Sequence, residues 1–338
     1  MNDFLKVQDE VTVGFDFVGP VLIPMFAVWL IAIVIMVAGV NKGISRANAI
    51  FMPLLIVMFL ILVVQSVFLP GAIDGLNAFF TPNFEALKDP SVWAAAYGHI
   101  FFSLSVAFGI MVTYSSYMKR KSDLTGSGYV VAFANSSFEL LAGIGVFAAL
   151  GFMAYNANSS VDEVAVSGIG LAFIAFPTIV SQAPLGSVIG VLFFGSLVFA
   201  GLTSLISILE VIVAAFQDKL GWRRAPATLI VTIPVALISL ALFPTTTGLF
   251  LLDTMDAFVN QFGILACALV IVIVLGAGLG MLPKLAKHLN RHSSIKVGTG
   301  WKVLVGGVGP AALGYMLINE IQTKMAEQYS GYPAWFNG

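Results

Sequence analysis

The sequence predicts an all-α polytopic membrane protein of about eight transmembrane helices, one of them broken at mid-membrane. Three observations predict it. Charged residues make up 10% of the 338-residue chain and hydrophobic ones 59%, whereas an ordinary soluble domain carries roughly 25% charged residues. Apolar runs of about 20 residues, the length that crosses a bilayer, follow one another along the chain. All of the 16 Lys and Arg residues except Lys6, Lys88 and Lys324 then fall on one side of the spans, the side expected to be cytoplasmic. Segments of alternating polarity, the mark of a membrane barrel, do not occur.

Residues 1–17 are mixed, with Asp3, Asp9, Glu10 and Asp16. The first apolar run starts after Val18 and is long enough to span, so it does not read as a short cleavable leader. Spans are expected near residues 18–40, 47–69, 91–118, 126–155, 185–217, 223–243, 250–280 and 301–321. The greasy stretch Val164–Phe176 ends at Pro177 after only thirteen residues, or about 20 Å of helix, and falls short. Residues 161–183 are therefore read as an outer-loop hairpin; as a span they would move every later cation outside. Both termini then lie outside, and long connections at 70–90 and 156–184 cap the outer face. Residues 1–338 read as a single membrane domain, and the short loops suggest a cell (inner) membrane.

Several functions are disfavoured. The net charge of −1 offers no basic field for nucleic acid. The single cysteine, Cys267, can form no disulfide within the chain and reads as a small core residue. No CxxC, phosphate loop, nucleophile elbow or intramembrane histidine pair occurs, so nothing indicates an enzyme.

Intramembrane polar groups are costly, and each asks for a partner or a task. In the third span, Ser103-Leu104-Ser105-Val106-Ala107-Phe108-Gly109 interrupts the apolar pattern. Either the helix breaks there to make a binding site, or the hydroxyls bond back within a continuous helix. Asn135 and Glu139 stand four apart on one face of the fourth span. A carboxamide beside a carboxylate suits a small hard cation; a protonated, hydrogen-bonded Glu139 is the other reading. In the fifth span, Thr203 and Ser204 either bridge helices or ligate sodium with backbone carbonyls, and Glu210 requires an internal partner, not named by the sequence, or must be protonated. Asp253 and Asp256 open the seventh span, Asp253 as a helix-start anion and Asp256 one turn deeper. Pro53, ten residues after Gly43, should loosen the second span.

These residues resemble a known family. Phe101-Phe102-Ser103-Leu104-Ser105-Val106-Ala107-Phe108-Gly109, followed by Thr113-Tyr114-Ser115-Ser116-Tyr117, is similar to the sixth helix of the neurotransmitter:sodium symporters, which have the leucine-transporter fold. Ala200-Gly201-Leu202-Thr203-Ser204 resembles their eighth helix, Gly43 and Pro53 their fifth-helix motif, and Leu252-Asp253-Thr254-Met255-Asp256 the start of their tenth. By this resemblance the eight spans correspond to helices four to eleven, and the chain reads as an N-terminally truncated member without the first three. Gly331-Tyr332-Pro333-Ala334-Trp335 resembles the loop leading to a twelfth.

The resemblance implies a set of roles. Phe102, Ser103, Ser105, Phe108, Ser204 and Ile208 would line a pocket for a small amino-acid-like substrate. Ser103 and Asn135 would ligate one sodium ion; Ala200 (through its carbonyl), Thr203 and Ser204 would ligate a second. Asp256 would be the outer-gate acid, and Tyr117 and Asp218 would belong to the inner gate. Gly43 and Pro53 would loosen the helix that releases sodium inward. Glu139 occupies the position where chloride-independent members carry an acid, so chloride is not expected. His99 replaces a usual glutamine and Ala107 an often-found glycine, the latter trimming the pocket by about a methyl.

The expected function is sodium-coupled amino-acid symport by alternating access, with Na+ as the coupling ion. The alternative is a transport-incompetent membrane fragment or partner subunit that binds no substrate, and for these residues standing alone it is favoured, because the broken span lacks its pseudo-twofold partner. A channel has no support, since no ring of charge or filter repeat is present. The partners expected are the substrate and the lipid bilayer, with a homodimer possible.

Overall fold

The computed structural model describes residues 16–164 and 185–326. Of the expected outer-loop hairpin at 161–183, only a short helix, Val161–Val164, falls within them; the rest lies outside the described residues. Among the described residues the elements are helices, joined by turns and one isolated bridge between Phe17 and Thr245.

Seven helical stretches are long and apolar enough to cross a membrane. They comprise α1 (Gly19–Val37), α2 (Ser45–Val67), α6 (Leu124–Ala157), α8 (Gly186–Leu220), α9 (Arg224–Leu242) and two composite spans. One composite joins α10 (Gly248–Phe258) and α11 (Leu265–Ile273); the other joins α13 (Thr299–Val303) and α14 (Gly309–Ala326). Each runs through π-helical turns. An eighth stretch is interrupted: α4 (Pro90–Ser103) stops and α5 (Ile110–Ser116) begins after six residues of turn. The remaining helices are α3 (Ala72–Phe80), α7 (Val161–Val164) and α12 (Leu282–His292). The chain is thus a multi-pass helical membrane protein.

Its organising post is α8, 35 residues and about 52 Å long. Leu202, Ile206, Leu209 and Val213 pack one stretch of it against Trp29, Ala32 and Met36 of α1 and Ala227, Val231 and Ala236 of α9. Further toward its start, Ile189 and Phe193 join Leu62 of α2 and Ala149 and Phe152 of α6. A third cluster, Leu265, Ala268, Leu313 and Met316, holds α11 to α14 and receives Phe101 and Ala107 from the interrupted stretch. Helix α3 lies against α6 so closely that a Cβ on Gly75 would collide with the carbonyl of Phe147. Small residues permit this approach, which van der Waals packing rewards in a membrane. Large apolar side chains such as Phe26, Leu30, Val130 and Phe133 are exposed on the outer faces of their helices, where lipid would cover them.

Two expectations change on this frame. Cys267 is exposed rather than in the core, because α11 turns Leu265 and Ala268 inward instead. Asp253 does not sit at a helix start, since α10 begins at Gly248 and its first turn carries no acid.

Candidate functional site

The interruption between α4 and α5 is a real departure from helix. Ser105, Ala107 and Gly109 have φ of 52°, 70° and 78°, in the left-handed region that costs a non-glycine residue of order 1–3 kcal/mol. The upper half closes with turn bonds from Ser105 N–H to the Phe102 carbonyl (3.0 Å) and from Val106 N–H to the Phe101 carbonyl (2.9 Å). The lower half restarts with Thr113 N–H donating to the Gly109 carbonyl at 2.9 Å. Of the two readings of this segment, the broken helix is the one found. Strain of this kind at mid-span marks a site whose surroundings hold it in place.

A polar cluster meets the break. Asn135 on α6 donates through Nδ2 to Ser103 Oγ at 3.1 Å and to Glu139 Oε1 at 2.8 Å. Both amide protons are then used, leaving the Asn135 carbonyl oxygen as an open acceptor. His99, one helical turn above Ser103, brings Nε2 to 3.5 Å from the same Glu139 oxygen. Phe102 and Phe108 face each other across the turn, ring centroids 5.9 Å apart and edge to face. The structure therefore gathers Ser103, Asn135, Glu139, Phe102 and Phe108, with Ser105 on the turn between them.

On α8 the second group lies along one helix. Thr203 Oγ1 donates to the Ala200 carbonyl at 2.9 Å, so two oxygens of the expected second sodium set are already neighbours. Ser204 and Ile208 stand one turn apart on an exposed strip. Among the described residues no hydrogen bond or ring contact joins this strip to the Phe102–Phe108 turn. The link between the helices is lower: Tyr114 of α5 donates to Ser207 Oγ at 2.8 Å, and a Cβ on Gly109 would stand 2.8 Å from Val211.

The inner end of this contact holds an ion pair. Glu210 is fully buried, and Arg224 grips both its oxygens with two 2.6 Å bonds. Tyr117 donates to Glu210 Oε1 at 2.6 Å, and Arg224 Nε donates to the Met36 carbonyl at 3.0 Å. Three elements thus meet on one carboxylate, and the arginine joins α1 as a fourth. Tyr117 is spent on Glu210; Asp218 instead lines a cleft of about 600 Å³ between α5, α8 and α11, with Thr113, Ser116 and Val274. Arg224 escaped sequence reasoning because it looked like a loop cation. The signal was there, for a carboxylate in an apolar span demands a cation within reach.

The remaining candidates are peripheral to the break. Asp256 is exposed on α10 and accepts from Asn260 Nδ2 at 2.8 Å. Gly43 lies in a π-helical turn, Val40–Ile44, where a Cβ would collide with the Ile35 carbonyl. Pro53 stands inside α2, which stays α-helical around it. The irregularity of this span is therefore at Gly43 rather than at Phe51–Pro53.

A helical membrane protein with a span broken at a cluster of hydroxyl, carboxamide and carboxylate groups has the build of a transporter. The chain belongs to the sodium:neurotransmitter symporter family, whose family model matches residues 1–338. It is 38% identical over 96% of its length to an uncharacterised sodium-dependent transporter of Methanocaldococcus jannaschii, of which it covers 66%. It is 31% identical over 95% of its length to a sodium-dependent serotonin transporter of Drosophila melanogaster, covering 53% of that protein. A sodium- and chloride-dependent glycine transporter 2 of Xenopus laevis is 27% identical, with 96% of the chain and 42% of the relative covered. The chain spans about two-fifths to two-thirds of the length of these relatives.

Proposed function

We propose that the complete protein couples the inward flow of sodium to uptake of a small amino-acid-like solute by alternating access. The observation that carries this reading is the left-handed turn at Ser105–Gly109 with Asn135 bonded to Ser103 beside it. Around it, the Ser103 hydroxyl, the open Asn135 carbonyl and the Glu139 carboxylate are hard oxygen donors of the sort a small cation takes. Ala200, Thr203 and Ser204 form a second oxygen group for a further sodium ion. Phe102, Ser105, Phe108 and Ile208 supply apolar walls and hydroxyls for the solute. The family and the sodium-dependent relatives support the coupling ion, and the relatives named for glycine and serotonin support a small amine-bearing solute.

Coupling requires that sodium bind the outward-facing state more tightly than the inward-facing one. Glu139 places a protein carboxylate beside the first sodium position, and a negative charge fixed there replaces an external anion. The complete protein is therefore chloride-independent in this reading. The π turn at Gly43 is the point where the second span gives way to admit water to the inner sodium position. Asp256 acts at the outer gate; Tyr117 and Asp218 act at the inner one. The basic ends of the spans face the cytoplasm.

A fragment that binds no substrate is not favoured: the family model extends over all 338 residues, and the cluster at the break is hydrogen-bonded as a unit. Binding of labelled amino acids to the purified chain, in sodium against potassium and in chloride against gluconate, tests the proposal. Sodium-dependent, chloride-indifferent retention is expected. Retention unaffected by replacing sodium overturns it.

A further inference from the structure

A basic pocket lies at the end of the bundle where α5 runs out and α12 crosses. It holds about 440 Å³ and is lined by Arg120, Lys121, Lys284, Lys287, His288, Arg291 and His292, with no acid among them. The sequence of α12, Leu-Pro-Lys-Leu-Ala-Lys-His-Leu-Asn-Arg-His, puts its apolar residues on one face and its cations on the other. Ala286 is buried, and Leu282 reaches Gly276 and Gly306 on the two composite spans. The apolar face is thus anchored to the bundle, and the basic face lines the pocket. A helix of this composition lies in the plane of a membrane surface.

The opposite wall is held in place by hydrogen bonds. Asn290 and Val297 exchange two bonds of 2.8 and 2.7 Å, and Lys296 Nζ donates to the Asn290 and Ser293 carbonyls. Thr125 at the start of α6 donates through its hydroxyl to the Ile295 carbonyl (2.7 Å) and through its N–H to Ser293 Oγ (3.3 Å). The Thr125 bonds tie the start of α6, four residues beyond Lys121, to the loop that follows α12. Asp123, two residues after Lys121, does not line the pocket: it caps α6 by accepting from Gly126 N–H at 2.8 Å and is bonded by the Ser294 hydroxyl. The crowding is felt by His292, whose pKa is held below the usual imidazole value by desolvation and then by His288, Arg291, Lys121 and Arg120. A preformed cavity lined by five Lys and Arg residues and no acid calls for an anion.

We propose that this pocket binds the phosphodiester headgroup of an anionic phospholipid. A lipid suits the site better than a free anion because the composite spans that seat Leu282 carry exposed Val274, Leu279, Val303 and Leu304, surface for acyl chains. The inference is independent of the solute and of the sodium positions.

The test uses the purified chain, delipidated in neutral detergent and titrated with phosphatidylglycerol, phosphatidylcholine or inorganic phosphate, with retention read by native mass spectrometry. Phosphatidylglycerol is expected to bind at least tenfold better than phosphatidylcholine. The triple substitution K284Q/K287Q/R291Q should weaken it about a hundredfold, three surface cations being involved, with phosphatidylcholine unchanged. If that variant fails to fold, R120Q/K121Q on the exposed opposite wall should still cost about thirtyfold. Equal retention of the two lipids, or phosphatidylglycerol binding untouched by these substitutions, overturns the proposal. So does full displacement of the lipid by an equal concentration of inorganic phosphate, which would mark a site for a free anion.

Discussion

Glu139 and Glu210 are both carboxylates on long apolar helices, yet the structure treats them in opposite ways. Glu210 is fully buried, with a guanidinium on both oxygens and a phenol besides. Glu139 keeps 34% of its side chain exposed and meets only an amide at 2.8 Å and an imidazole at 3.5 Å. A buried charge fully matched by a bidentate cation has nothing left to offer and serves to tie α5, α8, α9 and the end of α1 together. A carboxylate beside an amide and an imidazole, next to a strained turn, retains capacity for a cation that is not part of the chain. Proximity to the membrane interior alone does not distinguish the two; the state of their partners does.

Breaking the structural member should have the largest effect. Glu210→Ala leaves Arg224, with only 20% of its side chain exposed, without its carboxylate, and should destabilise the protein by about 3–5 kcal/mol, read as a fall in melting temperature in detergent. Replacing the pair together, E210L/R224M, should recover much of that loss, because removing both charges also removes the desolvation cost. If the double variant is as unstable as the single one, the pair is not the self-contained clamp described here.

Changes at the other member should touch binding more than stability. Asn135→Ala removes the donor that joins Ser103 to Glu139 and should raise the sodium concentration needed for solute binding by tenfold or more. Its stability cost should be about 1 kcal/mol, the worth of an ordinary hydrogen bond. Loss of melting temperature comparable to Glu210→Ala would erase the distinction. Glu139→Ser should leave folding intact and make solute binding rise several-fold with added chloride, measured against gluconate in sodium medium. Indifference of that variant to chloride would show that the carboxylate does not stand in for an anion.

Asp123 supplies a third, milder case. It lies on the surface, and the Ser294 hydroxyl and then the Gly126 N–H hold its carboxyl below the usual carboxylate range. A folded value below the unfolded one adds stability that is fully present above about pH 4 and is lost as pH falls through the folded value. Asp123→Asn should therefore flatten the acid side of the stability profile slightly, in melting curves taken below about pH 4. No change at all would show that the cap at the start of α6 contributes nothing.

How far the sequence could be read follows from the same physics. The helical membrane architecture was legible because a bilayer demands long apolar runs, and among the described residues those runs stand out from the polar connections. The interruption was legible as a place, from Ser103, Ser105 and the small residues around them, but its form was not. Left-handed backbone at Ser105 and Ala107 is disfavoured by both residue types and exists only because neighbours impose it. The partner of Glu210 was hidden because Arg224 is fourteen residues away across a turn, and charge patterning sees it only as a loop cation. Cys267 was misjudged for a related reason: in a membrane, apolar surroundings in sequence do not separate inward faces from outward ones.

The two halves of the interrupted stretch answer to different neighbours. Below the gap, Tyr114 and Tyr117 bolt α5 to α8; above it, Phe101 leans on α11 and α14. The six residues between are consequently a joint whose arms are fastened to separate walls, so a shift of either wall must be absorbed, or transmitted, at Ser105–Gly109.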